Sequence, residues 1–279
     1  MIRLLMLMLL LALPARAADL MFMTSDGVRL HVIDAGPATG RTVVLVPGWT
    51  MPAWIFQAQL AGLARAGYHA VALDPRGQGD SDVPLDGYTY TRRGQDVGEL
   101  IARLRQPVVL VGWSLGVLDS LAYIASAGDG AVSALVLIDN SIGEEPAPVP
   151  SRLPAARGPR LAREEQMRRF VTSMFRSSPG ETYLSQLTDA ALRTPSEAAA
   201  QLSNYAVPRT YWRNAVYSTN KPVLYVVRPR FEAQAANFAA RAPQAETIVF
   251  RDAGHALFVD EAARFNGLLI DFIRRRVGS

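Results

Sequence analysis

The sequence contains no cysteine. Disulfides, thiolate chemistry and lipoprotein attachment are excluded by that one absence. Lysine is almost missing too: Lys221 is the only one, and the positive residues are arginines scattered among many alanines. The formal net charge of +4 is therefore read as composition bias. No stripe of basic residues interleaved with aromatics occurs, which argues against nucleic-acid binding. No apolar run reaches the roughly 20 residues that a membrane span needs. Nor is there a complete dinucleotide fingerprint, because Gly77-x-Gly79 is followed by Asp82 where a third glycine would stand and no helix opens at the first glycine. Internal repeats and a separate second domain are likewise not visible. Neither a cofactor nor a metal ion is expected.

What is present is a chain of 279 residues with a hydrophobic share of 49%, enough for one α/β domain carrying an insertion. Residues 1–17 have the pattern of a cleaved secretory signal: Arg3 in a short positive start, an apolar stretch over 4–13, then Pro14 and Ala15-Arg16-Ala17. Cleavage before Ala18 removes Arg3 and Arg16 and lowers the formal charge from +4 to +2. A periplasmic or secreted protein is expected, with no stable membrane span after cleavage and with its stability drawn from the core.

Short apolar runs over 20–24 and 28–34 flank Ser25-Asp26-Gly27, a hairpin signal, and predict an antiparallel edge. His31 alternates with Leu30 and Val32 in the second run, which suits a half-buried strand histidine better than a ligand. Apolar strands then alternate with helical stretches: strand 42–46, helix 54–66, strand 69–73, helix 91–104, strand 108–111, a helix from Leu115 and strand 134–138. This alternation predicts a mostly parallel sheet with helices on both faces. It stops from 141 to 218. Residues 144–159 are proline-rich and read as an extended connection. Next, Met167, Phe170, Val171 and Met174 show the spacing of one helix face, and further helical stretches carry Tyr183, Tyr205, Tyr211, Trp212 and Tyr217. An inserted helical cap over 141–218 is expected, its aromatics and methionines mainly packing on the core and in part able to line an apolar pocket. The core over 18–140 resumes at 219–279, with strands at 222–227 and 247–250 and helices at 231–242 and 261–276.

Gly112-Trp113-Ser114-Leu115-Gly116 sits where the strand over 108–111 turns into a helix. A serine at such a turn is forced into a strained conformation that small flanking residues permit, and its hydroxyl stands above the sheet beside helix N–H groups. A hydroxyl is a poor nucleophile at neutral pH, so an imidazole must accept its proton and an acid must fix the imidazole tautomer. Of three histidines, His69 opens a buried strand, whereas His255 follows a glycine in a loop at a strand's carboxyl end and is the candidate base.

Four motifs in order carry a resemblance to the α/β-hydrolase superfamily over nearly the whole mature chain. They are Pro47-Gly48-Trp49, Asp74-x-Arg76-Gly77-x-Gly79-x-Ser81, Gly112-x-Ser114-x-Gly116 and Ala253-Gly254-His255. The chain looks most similar to cofactor-free haloperoxidases and related esterases. That resemblance implies an α/β-hydrolase fold and a serine hydrolase acting on a small-molecule ester or other acyl substrate through an acyl-enzyme on Ser114. Oxyanion stabilisation would come from the backbone N–H groups of Trp49 and Leu115. Pro47 departs from the family, which usually has histidine there. The acid departs as well: after the strand ending at Val227 the chain reads Arg228-Pro229-Arg230-Phe231, with Glu232 the nearest carboxylate, whereas some branches place the acid where Asp139 stands. Asp139 is the preferred acid and Glu232 the alternative. A haloperoxidase or perhydrolase using the same triad, and a non-catalytic binding protein on this fold, stay open. Serine at position 114 disfavours chemistry that needs an aspartate nucleophile.

Overall fold

The computed structural model describes residues 17–105, 107–147, 161–204 and 206–278. Its strands are β1 (Ala18–Met23), β2 (Arg29–Ala35), β3 (Thr42–Val46), β4 (His69–Leu73), β5 (Val108–Trp113), β6 (Val132–Ile138), β7 (Val223–Val227) and β8 (Ala245–Val249). They form a single sheet in the order β1-β2-β4-β3-β5-β6-β7-β8, antiparallel where β1 meets β2 and β2 meets β4, and parallel from β4 to β8. The hairpin at Gly27 is closed by its amide donating to Thr24, and β1 forms the expected antiparallel edge. Of the predicted signal segment over 1–17, residues 1–16 lie outside the described residues.

Side chains of a strand alternate between faces, and here both faces are apolar. Val44, Val46, Leu110, Leu135 and Leu137 point into one core, shared with α2 (Tyr90–Ile101), α3 (Leu115–Ala127) and α8 (Glu232–Arg241). Val43, Leu45, Val109, Val111, Val136 and Ile138 point into the other, shared with α1 (Gln57–Arg65) and α10 (Ala262–Arg276). Each such valine, leucine or isoleucine, once fully buried, contributes about 1.5–3 kcal/mol. Between α2 and α3 the buried guanidinium of Arg93 donates to Asp119 at 2.9 Å. Removing one partner of a pair like this costs about 3–5 kcal/mol, because the other charge is left buried and alone.

Among the described residues, four helices lie between β6 and β7: α4 (Arg163–Ser173), α5 (Glu181–Arg193), α6 (Ser196–Leu202) and α7 (Arg209–Tyr217). Met167, Val171 and Met174 are buried in packing, and Trp212 and Tyr211 close edge-on over Tyr90. Tyr217 donates its hydroxyl to the buried carboxylate of Glu144. Most residues of the proline-rich connection, and Tyr205, lie outside the described residues. One short helix not anticipated from periodicity, α9 (Leu257–Asp260), follows the His255 loop. Among the described residues no helix is long and apolar enough to cross a membrane.

Candidate active site

A parallel sheet delivers the carboxyl ends of its strands to one rim. Because β5, β6 and β7 are adjacent and in register, the residues that follow them, Ser114, Asp139 and Arg228, stand in a row there. The loop after β8 brings His255 over that row.

The elbow at Ser114 has φ +53° and ψ −117°, a region that residues with a Cβ rarely occupy. Close approach explains its glycines: a Cβ on Gly112 would meet the Gly116 carbonyl at 2.3 Å, and one on Gly116 would meet the Val46 carbonyl at 2.1 Å. The turn is held by the Ser114 amide donating to Ile138 and by the Asn140 side-chain amide donating to the Ser114 carbonyl at 2.8 Å.

His255 bridges Ser114 and Asp139. Its Nε2 lies 2.9 Å from Ser114 Oγ and its Nδ1 lies 2.6 Å from Asp139 Oδ2. With Nδ1 carrying its proton toward the carboxylate, Nε2 is left free to accept the serine proton. Asp139 is fully buried and takes a left-handed backbone, φ +49°, which turns its side chain along the rim. Burial alone would raise its carboxyl, but the hydrogen bond and charge of His255 together with the Arg228 guanidinium hold it below the usual carboxylate range.

Arg228 grips the same carboxylate. Its backbone N–H donates to Oδ1 at 2.9 Å and its Nε donates to Oδ2 at 2.6 Å, while Nη2 stands 3.4 Å from His255 Nδ1. Glu232, the alternative acid, is not in this row: its carboxylate pairs with Arg251 at the surface, 3.0 Å away.

The loop after β3 faces the elbow from the other side. A Cβ on Gly48 would touch Ser114 Cβ at 3.0 Å, and the Gly48–Met51 turn, closed at 3.1 Å, leaves the Trp49 N–H outside its own hydrogen bond. Leu115 is the first residue of α3, so its N–H is one of the helix's unsatisfied first-turn donors. Thr50 is buried at φ +59° and its hydroxyl donates to the Trp49 carbonyl.

Both loops are tied to the inserted helices. The Trp49 indole donates to the Ala199 carbonyl of α6 at 2.7 Å and meets Phe170 of α4 edge-on. The Ala256 amide donates to the Met174 carbonyl at the end of α4, and Asp260 accepts from both Gly254 and Arg176 amides. From below, Trp113 donates its indole N–H to the His255 carbonyl at 2.9 Å.

The other two histidines lie elsewhere. His69 pairs with Asp34 at the opposite end of the sheet, and His31 is buried with Nδ1 2.8 Å from Asp74. Among the described residues His31, Asp74 and Asp80 bring ligand-type atoms within 4.8 Å of one another. Asp74 already accepts N–H groups from Ala53 and Asp80 besides facing His31, so this cluster reads as a tie between loops. Arg228, Trp113 and Asn140 were given no role from sequence; the signal available was their position beside a strand's carboxyl end or the nucleophile.

A model of the family described as "Alpha/beta hydrolase family" matches residues 43–268. The chain belongs to that family. Among relatives in this family, the non-heme chloroperoxidase CPO-A1 of Kitasatospora aureofaciens is 34% identical over 116 residues, which is 41% of this chain and 42% of that protein. The chain thus matches less than half the length of that curated relative. Among solved structures, the esterase RhEst1 from Rhodococcus sp. ECU1013 superposes with a TM-score of 0.76 at 26% identity, covering 92% of this chain and 99% of that one. A bromoperoxidase from Bacillus anthracis superposes with a TM-score of 0.77 at 21% identity, covering 92% and 100%, and speaks for the fold.

Proposed function

We propose that this family member is a serine hydrolase that cleaves a carboxylic ester or similar acyl bond through an acyl-enzyme on Ser114. The observation that carries the reading is the single hydrogen-bonded line from Ser114 Oγ through His255 to Asp139, at 2.9 and 2.6 Å. In it, His255 Nε2 removes the hydroxyl proton as Oγ attacks the substrate carbonyl carbon. The negative oxygen that forms is met by the N–H groups of Trp49 and Leu115, each donor of this kind being worth about 100- to 1,000-fold in rate. Collapse of the intermediate breaks the bond to the alcohol, which leaves with the proton from His255. Water, deprotonated by the same imidazole, then releases the acid and restores Ser114.

A second reading is favoured by the likeness to a non-heme chloroperoxidase. There the same acyl-enzyme is attacked by hydrogen peroxide instead of water and a peracid leaves. The binding-protein alternative predicts an inert serine. One experiment separates the three: stoichiometric labelling of Ser114 by a fluorophosphonate is expected, followed by faster turnover of p-nitrophenyl acetate in water than any added rate with peroxide. Absence of labelling on folded protein would leave binding, and a rate dominated by peroxide would leave perhydrolysis. We further propose export, on the pattern of residues 1–17.

A further inference from the structure

We propose that Arg228 is a positioning residue for the triad: it fixes the Asp139 carboxylate in place and, through it, the orientation of the His255 imidazole. The inference rests on the serine hydrolase reading above.

Three contacts motivate it. The backbone N–H and Nε of Arg228 take both oxygens of Asp139, so the carboxylate cannot rotate about its own bond without losing one of them. Oδ2 is shared between Nε at 2.6 Å and His255 Nδ1 at 2.6 Å, which places two donors on one oxygen. The third contact is the approach of Nη2 to within 3.4 Å of Nδ1. Nδ1 carries its proton toward Asp139, so it cannot also accept from the guanidinium. What faces the imidazole at that distance is a positive charge.

The test compares kcat and KM on p-nitrophenyl acetate, and the fluorophosphonate labelling rate, in the parent, Arg228→Gln, Arg228→Met, Arg228→Lys and Arg228→Gly. In the Gln and Met variants kcat and the labelling rate should fall about tenfold as the carboxylate loses its clamp, with KM unchanged. The Lys variant keeps a charged donor without the planar fork, so it should recover part of that loss. Guanidinium chloride at millimolar concentration should return part of the lost rate to Arg228→Gly. Rates equal to the parent's in the Gln and Met variants, both folded by circular dichroism, would overturn the assignment. So would failure of both Gln and Met variants to fold, which would make Arg228 a folding determinant. A parent that does not react with the fluorophosphonate would instead remove the hydrolase reading on which this one stands.

Discussion

Changing Asp139 to asparagine tests the triad most directly, because the amide has one acceptor where the carboxylate has two. In the parent, Oδ1 accepts from the Arg228 backbone N–H and Oδ2 accepts from both Arg228 Nε and His255 Nδ1. If the asparagine oxygen takes the Oδ2 position, its NH₂ group faces the Arg228 N–H and two donors confront each other. If the oxygen takes the Oδ1 position, NH₂ points at Arg228 Nε and at His255, and the imidazole can pair with it only by moving its proton to Nε2. That tautomer cannot accept the serine proton. A loss of turnover of about 10⁴-fold follows, equivalent to about 5 kcal/mol of transition-state stabilisation. In either orientation a buried donor goes unpaired, which costs about 1–3 kcal/mol of stability. Glu232→Gln, by contrast, alters a surface pair with Arg251, and should cost under about 1 kcal/mol and change activity less than about tenfold. Both variants would be assayed on one p-nitrophenyl ester after their folding is checked by circular dichroism and urea melts. If Glu232→Gln proved the more damaging, or if Asp139→Asn kept activity within tenfold of the parent, the acid would have been misassigned.

Ser114→Ala should abolish ester hydrolysis with the fold retained, while Ser114→Gly should be equally inactive and more stable by about 1 kcal/mol, since glycine relieves the backbone at φ +53°; a Gly variant less stable than Ala would deny the strain. His31 should give a pH-dependent stability term. Its hydrogen bond with Asp74 outweighs burial and raises its pKa, so the stabilisation is complete below the unfolded value and fades as pH rises through the folded one. The urea-derived stability gap between parent and His31→Gln should accordingly be wider by about 1 kcal/mol at about pH 5.5 than at about pH 9, and an equal gap would contradict this. N-terminal sequencing of protein exported by its native host should begin at Ala18, and recovery of Met1 in a membrane fraction would show an anchor instead.

The sheet and the elbow were legible because each imposes a local signature. Strands buried on both faces read as short apolar runs, and the Gly112 and Gly116 positions admit no side chain. His255 was legible by elimination, from its glycine and its place at a strand end. The acid was not: Asp139 and Glu232 both keep the chain order, and what separates them is the adjacency of β5, β6 and β7 together with the left-handed backbone at Asp139. Arg228, Trp113 and Asn140 were invisible for a related reason. The contacts of Arg228 and Trp113 join strand ends far apart in the chain, and the Asn140 bond reaches back 26 residues; hydropathy carries no record of such partners. Helix α9 has only four residues, too few to show a period.

The indole bond from Trp49 to Ala199 and the amide bond from Ala256 to Met174 bear on how exchangeable the inserted helices are. One fastens the loop beside Ser114 and the other fastens the loop of His255, and both acceptors are main-chain carbonyls of the insert. A foreign insert grafted between β6 and β7 would have to present carbonyls at those two points, whatever its side chains. The identity of the helices is then open to redesign wherever it faces substrate, but their backbone path over Ala199 and Met174 is not, and engineering of this protein toward new substrates should alter residues on the existing helices before it replaces them.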